Sequence, residues 1–256
     1  MSEKAVIKAM ETRKELGLAF YESADIFKIL YEVEGISLVF KEMSDKMSGL
    51  FLRKDKANLI VINSRKTLGH QRFTATHEYY HYKYSNGALN RICSINKFVD
   101  DNPEEREANI FALNFLLPRE AVEYVLYKKR KQRKGIDITD IIFLEQYFGV
   151  SHQCMLIRLE ELKLINKQQK EEFKHNIITK AREYGYPIEL YKSTADKNIQ
   201  VYSEYAELAK KLLEAGKISY GKYEELLIEG GYAHMVFEPT QDTEGEINEF
   251  EDADSI

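Results

Sequence analysis

Residues 73–84 read Phe-Thr-Ala-Thr-His-Glu-Tyr-Tyr-His-Tyr-Lys-Tyr, and this stretch decides the fold. His77 and His81 are four residues apart, so on a helix their imidazoles project from one face, one above the other. That spacing lets both side chains bind one Zn²⁺ at about 2.0–2.1 Å. Glu78, beside the first histidine, is placed to take a proton from a metal-activated water without binding the metal itself. The stretch predicts an active-site helix with a zinc ion.

The four-residue spacing of the histidines needs support from its context. With six histidines in 256 residues, about 0.01–0.02 chance matches to His-Glu-x-x-His are expected in the chain. The alternative is a surface helix with two half-exposed histidines and a solvated glutamate. However, the residues at 73–76 are small or apolar, as expected for a helix buried in a core. This favours the metal-site interpretation.

A catalytic zinc needs a third protein ligand and one open position for water. Residues 103–118 form a second helical pattern, with Pro103 at its first turn after the cap candidates Asp101 and Asn102. Apolar residues recur there at helical spacing: Ala108, Phe111, Ala112, Phe115 and Leu116.

The inward side of this second helix supplies the candidate ligand. Glu107 lies one turn before Phe111 and is predicted to be the third metal ligand, with Glu104 as its main competitor. Glu105 is predicted to face solvent. A carboxylate on a buried face is costly unless it is paired or bound to a metal, so without a metal Glu107 would form a salt bridge.

The remaining pattern predicts an α+β fold. Two helical stretches open the chain, and three short β-rich runs at 36–40, 49–52 and 59–62 follow, separated by turn-forming residues. These runs predict a small mixed or antiparallel sheet beside the active-site helix. Beyond residue 135 the pattern is helical almost throughout, which predicts an all-helical region.

Composition excludes several classes of protein. The chain is 44% hydrophobic, enough for a packed core, and its two cysteines are too few for a disulfide framework, which predicts a reduced, cytoplasmic protein. No run of about 18 apolar residues is present, so no membrane span is predicted. The net charge of −5 is uneven, because residues 238–256 hold eight acids and no bases, leaving −5 + 8 = +3 for the rest. We expect this acidic tail to be disordered.

Two features after the active-site region bear on DNA binding. Residues 128–134 read KKRKQRK, which is either a nucleic-acid patch or, as we favour, a solvated helix end or linker. Residues 139–165 have the outline of a helix-turn-helix, with Ser151 as N-cap of its second helix. The residues of this segment that we expect to be exposed toward DNA offer little positive charge for phosphate contacts. They are His152, Gln153 and Arg158. DNA contact is therefore the less favoured use of this segment.

Two motifs together resemble the ImmA/IrrE family of metallo-endopeptidases. They are Arg-Phe-Thr-Ala-Thr-His-Glu-x-x-His, ending at His81, and Glu-Arg-Glu-Ala-Asn-x-Phe-Ala-x-x-Phe-Leu-Leu-Pro, ending at Pro118. A strand that ends in Asn63 ahead of the helix is also similar. The resemblance covers about residues 35–165. Tyr79 and Tyr80 stand where the family usually has small residues such as Leu-Gly.

The resemblance implies a gluzincin-like fold with His77, His81 and Glu107 as ligands and Glu78 as general base and acid. It also implies Zn²⁺, although two histidines and a carboxylate would accept Mn²⁺. The family is encoded on phages and mobile elements and cleaves a helix-turn-helix (XRE-type) repressor, acting as an anti-repressor. The oxyanion formed during cleavage needs a further donor. The sequence offers several neighbouring candidates for it: Tyr79, Tyr80, Tyr84 and His70.

The domain organisation follows from these patterns. We expect a zinc metallopeptidase domain at 1–130, a helix-turn-helix-like segment at 131–175, a C-terminal helical region at 176–237 and the acidic tail at 238–256. The predicted function is cleavage of a protein substrate. The alternatives are a DNA-associated regulator whose site no longer turns over, and a toxin–antitoxin component on the same scaffold.

Overall fold

A computed structural model describes residues 3–54, 57–85, 91–93, 102–130, 135–196 and 200–237. The chain divides into two compact units, Met1–Tyr202 and Ser203–Ile256. The acidic tail at 238–256 and residues 131–134 of the basic block lie outside the described residues.

The first unit contains a five-stranded mixed sheet in the order β4-β2-β3-β1-β5. The strands are β1 Ser37–Lys41, β2 Gly49–Lys54, β3 Ala57–Asn63, β4 Arg91–Cys93 and β5 Gln200–Tyr202. β1 and β3 are parallel and the other neighbours are antiparallel. Alternate side chains of β1 and β3 are buried, so one face of the sheet carries the hydrophobic core. The sheet and the helices around it confirm the predicted α+β class.

The helices around the site pack against one another, and the helix that carries the histidines also packs against β2 and β3. They are α1 Glu3–Glu15, α2 Ile26–Lys28 with a π-helical turn at Ile29–Val33, α3 Leu68–Tyr84 and α4 Pro103–Leu116. α4 contacts both α1 and α3. As predicted, Asn102 caps α4 by accepting from the backbone N–H of Glu104.

Five further helices follow in the described part of the first unit, and the buried residues of the last one and of the turn after it form a second, smaller cluster. The helices are α5 Arg119–Arg130, α6 Ile138–Phe148, α7 His152–Glu161, α8 Lys167–Phe173 and α9 Ile177–Glu183, followed by a 3-10 turn at Glu189–Tyr191. Gly149 ends α6 in the left-handed conformation, and Ser151 caps α7 as predicted. Leu144, Phe148 and Met155 belong to the hydrophobic cluster that also contains the sheet residues Leu38 and Ile60. α6 and α7 therefore share a core with the sheet.

The α6–α7 pair has the predicted helix-turn-helix outline, but two of its expected surface residues, His152 and Arg158, turn inward. The side chain of His152 is only 11% exposed and contacts Glu145 and the carbonyl of Phe173. Arg158 is only 2% exposed. It donates to the carbonyl of Leu117 at 2.8 Å and to Oδ1 of Asn114 at 2.9 Å, so it satisfies the C-terminal end of α4. The buried carbonyls at that helix end need a donor, which explains an arginine turned inward. Arg158 has no free guanidinium with which to read DNA.

The described part of the basic block also has a structural role. Lys129 and Arg130, in the last turn of α5, lie 3.2 Å and 3.4 Å from the carboxylate of Asp140. That carboxylate belongs to the capping box at the start of α6. The two basic residues therefore join the end of one helix to the start of the next.

The second unit contains α10 Tyr205–Glu214, α11 Tyr220–Glu229 and α12 His234–Phe237. α10 and α11 pack together as a short hairpin. Within the described residues, no helix of either unit has the length and apolar character that crossing a bilayer requires.

Candidate functional site

α3 carries the first part of the site. Thr67 caps the helix by accepting from the backbone N–H of His70. His77, Glu78 and His81 are each no more than 1% exposed, and the residues at 73–76 before them are buried too. The prediction of a buried helix with both histidines on one face is confirmed. A surface helix with solvated histidines is excluded.

A carboxylate from α4 meets the two histidines. Nε2 of His77 lies 3.0 Å from one oxygen of Glu105, and Nε2 of His81 lies 3.4 Å from the other. The two Nε2 atoms are 3.2 Å apart. The three side chains thus bring their ligand atoms within 4.8 Å of one another.

The structure does not bring Glu107 to this cluster. Its carboxylate accepts a 2.6 Å hydrogen bond from the hydroxyl of Tyr80 and lies 3.8 Å from Nζ of Lys8 on α1. Glu104 reaches Nδ1 of His81 at 4.0 Å, the nitrogen that faces away from the cluster. The expectation that Glu105 faces solvent is wrong, since its side chain is 17% exposed and bonded to His77.

The different placement of the two glutamates has a simple cause. α4 lies between α1 and α3 and buries residues on most of its faces from Ala108 onward. The face that holds Phe111 turns toward the tyrosines of α3 and toward α1. Glu105 shares a different face with Asn109, one turn later, and that face meets the histidines. The inward carboxylate was expected to be Glu107, but α4 has several inward faces.

The two histidines are held from behind by residues that the sequence analysis missed. Nδ1 of His77 lies 2.9 Å from Oδ1 of Asn109, and Nδ1 of His81 lies 2.9 Å from Oγ of Ser85. These partners fix the orientation of the two rings and direct both Nε2 atoms toward Glu105. The sequence signal that could have identified these two supporting residues is their i, i+4 spacing, from Glu105 to Asn109 and from His81 to Ser85.

The protonation states are coupled within the cluster. Burial disfavours the Glu105 carboxylate, but hydrogen bonds from His77 and His81 outweigh it and lower the pKa of Glu105 far below its usual value. Burial also disfavours a charged His77, yet the neighbouring carboxylates of Glu105 and Glu78 raise the pKa of that imidazole. The negative charge of these carboxylates therefore favours the binding of a cation at the cluster.

The donor set fits a tetrahedral divalent ion. Ligand bonds of about 2.0–2.1 Å in a tetrahedron place neighbouring donor atoms about 3.3 Å apart. The two Nε2 atoms are 3.2 Å apart, and they lie 3.0 Å and 3.4 Å from different oxygens of Glu105, so the three groups are near the spacing that one ion needs. Two nitrogens and one carboxylate leave a fourth position, as a catalytic zinc site requires.

The three candidate tyrosines direct their hydroxyls elsewhere. Tyr79 donates to Glu34, Tyr80 donates to Glu107, and Tyr84 shares a 2.8 Å hydrogen bond with Thr12. Burial, followed by these carboxylates, raises the pKa of Tyr79 and of Tyr80. Tyr79 and Tyr80 are nearly inaccessible, so the two bulky residues inside the motif pack α3 against α1 and α4.

His70, the fourth candidate, lies near the start of α3. Its Nε2 is 3.1 Å from Oγ of Ser48 on the loop before β2. Burial, assisted by Lys66, lowers the pKa of His70 to about 4, so the ring is neutral near pH 7. His70 is two turns before Glu78, about 12 Å along the helix axis. His70 therefore contacts the loop before β2 and not the cluster of His77, His81 and Glu105.

The pKa of His70 predicts an acid sensitivity of the fold. A pKa of about 4 in the folded protein and 6.5 in the unfolded chain means that the unfolded chain binds the extra proton. Stability from this residue is therefore complete above pH 6.5 and is lost as the pH falls toward 4, by about 2 kcal/mol at pH 4.5. Chemical denaturation with a chelator present should show this loss in the wild type and not in His70→Gln. If the free energy of unfolding fell with pH equally in the two proteins, the lowered pKa of His70 would be wrong.

Comparisons with known proteins identify the family of the chain. A family model described as the IrrE N-terminal-like domain, Peptidase M78, matches residues 31–160, just over half of the chain. No curated protein matches the chain. A solved structure described as a Mycobacterium tuberculosis transcriptional regulator shares 18% identity, with a TM-score of 0.40. That alignment covers 61% of this chain and 47% of the other, so the chain spans about half of that protein's length. The family match shows that this chain belongs to the ImmA/IrrE family of metallopeptidases.

Proposed function

We propose that this chain is a zinc-dependent endopeptidase, located in the cytoplasm, that cleaves a helix-turn-helix repressor of the XRE type. The observation that carries the proposal is the convergence of His77, His81 and Glu105 with buried Glu78 beside the first histidine. Family membership supports a peptidase. The choice of substrate rests on the resemblance to anti-repressor peptidases of phages and mobile elements.

The residues divide into two roles. His77, His81 and Glu105 hold the metal, with Asn109 and Ser85 orienting the rings from behind. The chemistry that such an ion supplies when bound is Lewis-acid activation of water and of the scissile carbonyl. Glu78 accepts the proton of the attacking water and passes it to the leaving amine. Zn²⁺ is the metal we favour, and Mn²⁺ would also suit these ligands.

The rival proposal, a DNA-associated regulator or a toxin–antitoxin component, has less support. Arg158 is buried against Leu117 and Asn114, and Lys129 and Arg130 are engaged with Asp140. These three cations of the candidate DNA-binding segments are therefore engaged within the protein. The helical pair instead supports α4, which carries the carboxylate of the site.

Removal of the metal tests the proposed function. The protein should cleave a co-expressed XRE-type repressor when loaded with Zn²⁺ or Mn²⁺, and cleavage should stop with a chelator and return with added metal. Metal at 100 times its dissociation constant should also stabilise the fold by about 2.7 kcal/mol. The size of the repressor and the thermal midpoint are measured together. Cleavage that persists in the chelated protein, or an intact repressor beside the metal-loaded protein, would refute the proposal.

A further inference from the structure

One face of α3, distinct from the one that faces Glu105, leads from its first turn to Glu78. His70, Thr74 and Glu78 are spaced four residues apart, so they line up along the helix. This face lies against the start of β2. His70 contacts Ser48, the residue before the strand, and Gly49 opens the strand directly above Thr74 and Glu78.

Gly49 makes this close approach because it has no side chain. A Cβ added there would lie 2.6 Å from Cγ2 of Thr74 and 2.9 Å from the carbonyl oxygen of Val61. It would also lie 3.5 Å from one carboxylate oxygen of Glu78. Gly49 is an extended strand residue outside the left-handed region, so the constraint concerns space and not backbone conformation. Glycine in a strand often marks such a close approach.

The backbone before Gly49 is fixed on several sides. The side chain of Asn63, which is fully buried, donates to the carbonyls of Ser44 and Met47 and accepts from the backbone N–H of Met43. The backbone N–H of Asn63 also donates to the carbonyl of Ser48 at 2.9 Å. Together with His70, these bonds hold the loop between β1 and β2 and leave the start of β2 little freedom to retreat.

We propose that Gly49 is a positioning residue for Glu78. Because Gly49 has no side chain, the start of β2 lies directly against the Glu78 carboxylate and forms a wall beside it. This wall sets the direction from which the carboxylate reaches water. The role rests on the proposed endopeptidase function. The metal ligands His77, His81 and Glu105 belong to a different cluster, so the wall acts on the base and not on the metal.

A methyl group at position 49 cannot be absorbed locally. Thr74 is fully buried, and its hydroxyl donates to the carbonyl of His70, so its methyl group has no free direction in which to turn. The second obstacle, the carbonyl of Val61, is backbone within the sheet. Either the start of β2 or the turn of α3 at Thr74 must move, and both bound the space around the Glu78 carboxylate, which itself lies at ordinary contact distance from the new Cβ. Misplacement of a reacting group by about 1 Å can cost about 100-fold in rate.

The test compares Gly49→Ala, Thr74→Ser, the double variant and Gly221→Ala with the wild type. Gly221, in α11, is a matched control because a Cβ there meets nothing within 4 Å. We measure bound zinc, thermal midpoint, and kcat and KM on a peptide that spans the bond cleaved in the repressor. Rates are expressed per bound zinc, which separates turnover from loss of folded protein.

We expect Gly49→Ala to keep its zinc and to lower kcat about 10- to 100-fold, with KM within about threefold. Thr74→Ser should restore part of kcat in the double variant, because it removes the methyl group nearest the new Cβ. Gly221→Ala should match the wild type in bound zinc, kcat and KM, with a slightly higher thermal midpoint because alanine favours a helix more than glycine. Wild-type kcat in Gly49→Ala would overturn the inference and leave the proposed function intact. Loss of zinc from both Gly49 variants would also overturn it, since Gly49 would then support the whole site. No cleavage by zinc-loaded wild type would overturn the proposed function and this role together.

Discussion

The Glu78→Gln protein should bind metal as the wild type does and lose turnover by about 10³-fold or more. Glutamine has nearly the same shape as glutamate, so the buried position of Glu78 stays filled. Its amide cannot accept the proton of the attacking water, and a positioned base contributes about 10²–10⁴-fold. Glu78 is not one of the three converging ligands, so the metal should remain. Bound zinc and the rate of repressor cleavage are measured on the same preparation.

A matched control separates the chemistry from the change of charge. Glu120, an exposed glutamate in α5, changes to glutamine with the same loss of one negative charge. Glu120→Gln should keep wild-type rates. If Glu78→Gln cleaved the repressor at the wild-type rate, the general-base role would be wrong. If it lost its zinc, Glu78 would belong to the metal-binding set.

The active-site helix was predictable because its signal is local. His77 and His81 lie within one turn of each other, and the buried residues before them have a composition that distinguishes a core helix from a surface helix. The three central strands were likewise predictable from short runs of branched residues. Their observed bounds differ from the predicted ones by a few residues at most.

The third ligand could not be read from periodicity in the same way. Periodicity identifies a buried face when a helix packs on one neighbour. α4 packs on both α1 and α3, so Glu105 and Glu107 both point toward protein. Only the crossing of α4 over α3 decides which carboxylate meets the histidines, and that crossing depends on contacts far apart in sequence.

Other features were missed for the same reason. β5 is three residues long and pairs with β1, about 160 positions earlier, so no local pattern announces it. Arg158 looked exposed from its charge and its position in α7. Its burial depends on carbonyl and amide acceptors at the end of α4, more than 40 residues away. A charged residue near a helix end can serve another helix, which composition alone does not reveal.

Glu105→Gln should lower the affinity for zinc by at least about 100-fold, whereas Glu107→Gln should retain the metal. A neutral amide is a poor replacement for a carboxylate ligand, and removal of even a supporting residue behind a metal ligand costs 10- to 100-fold. Glu107 instead accepts from Tyr80 and pairs with Lys8. Its amide variant keeps an acceptor for Tyr80, so we expect a loss of only about 1 kcal/mol in stability. Zinc titration against a chelating indicator measures both affinities.

The pair of variants is decisive because each protein is the control for the other. Both substitutions remove one negative charge from the same helix, two residues apart, so a general effect of charge on metal affinity would appear equally in both. A loss of zinc confined to Glu105→Gln can come only from the carboxylate that contacts His77 and His81. The reverse result, with zinc lost from Glu107→Gln and kept in Glu105→Gln, would show that α4 turns by about half a turn when the metal binds. It would restore Glu107 as the ligand.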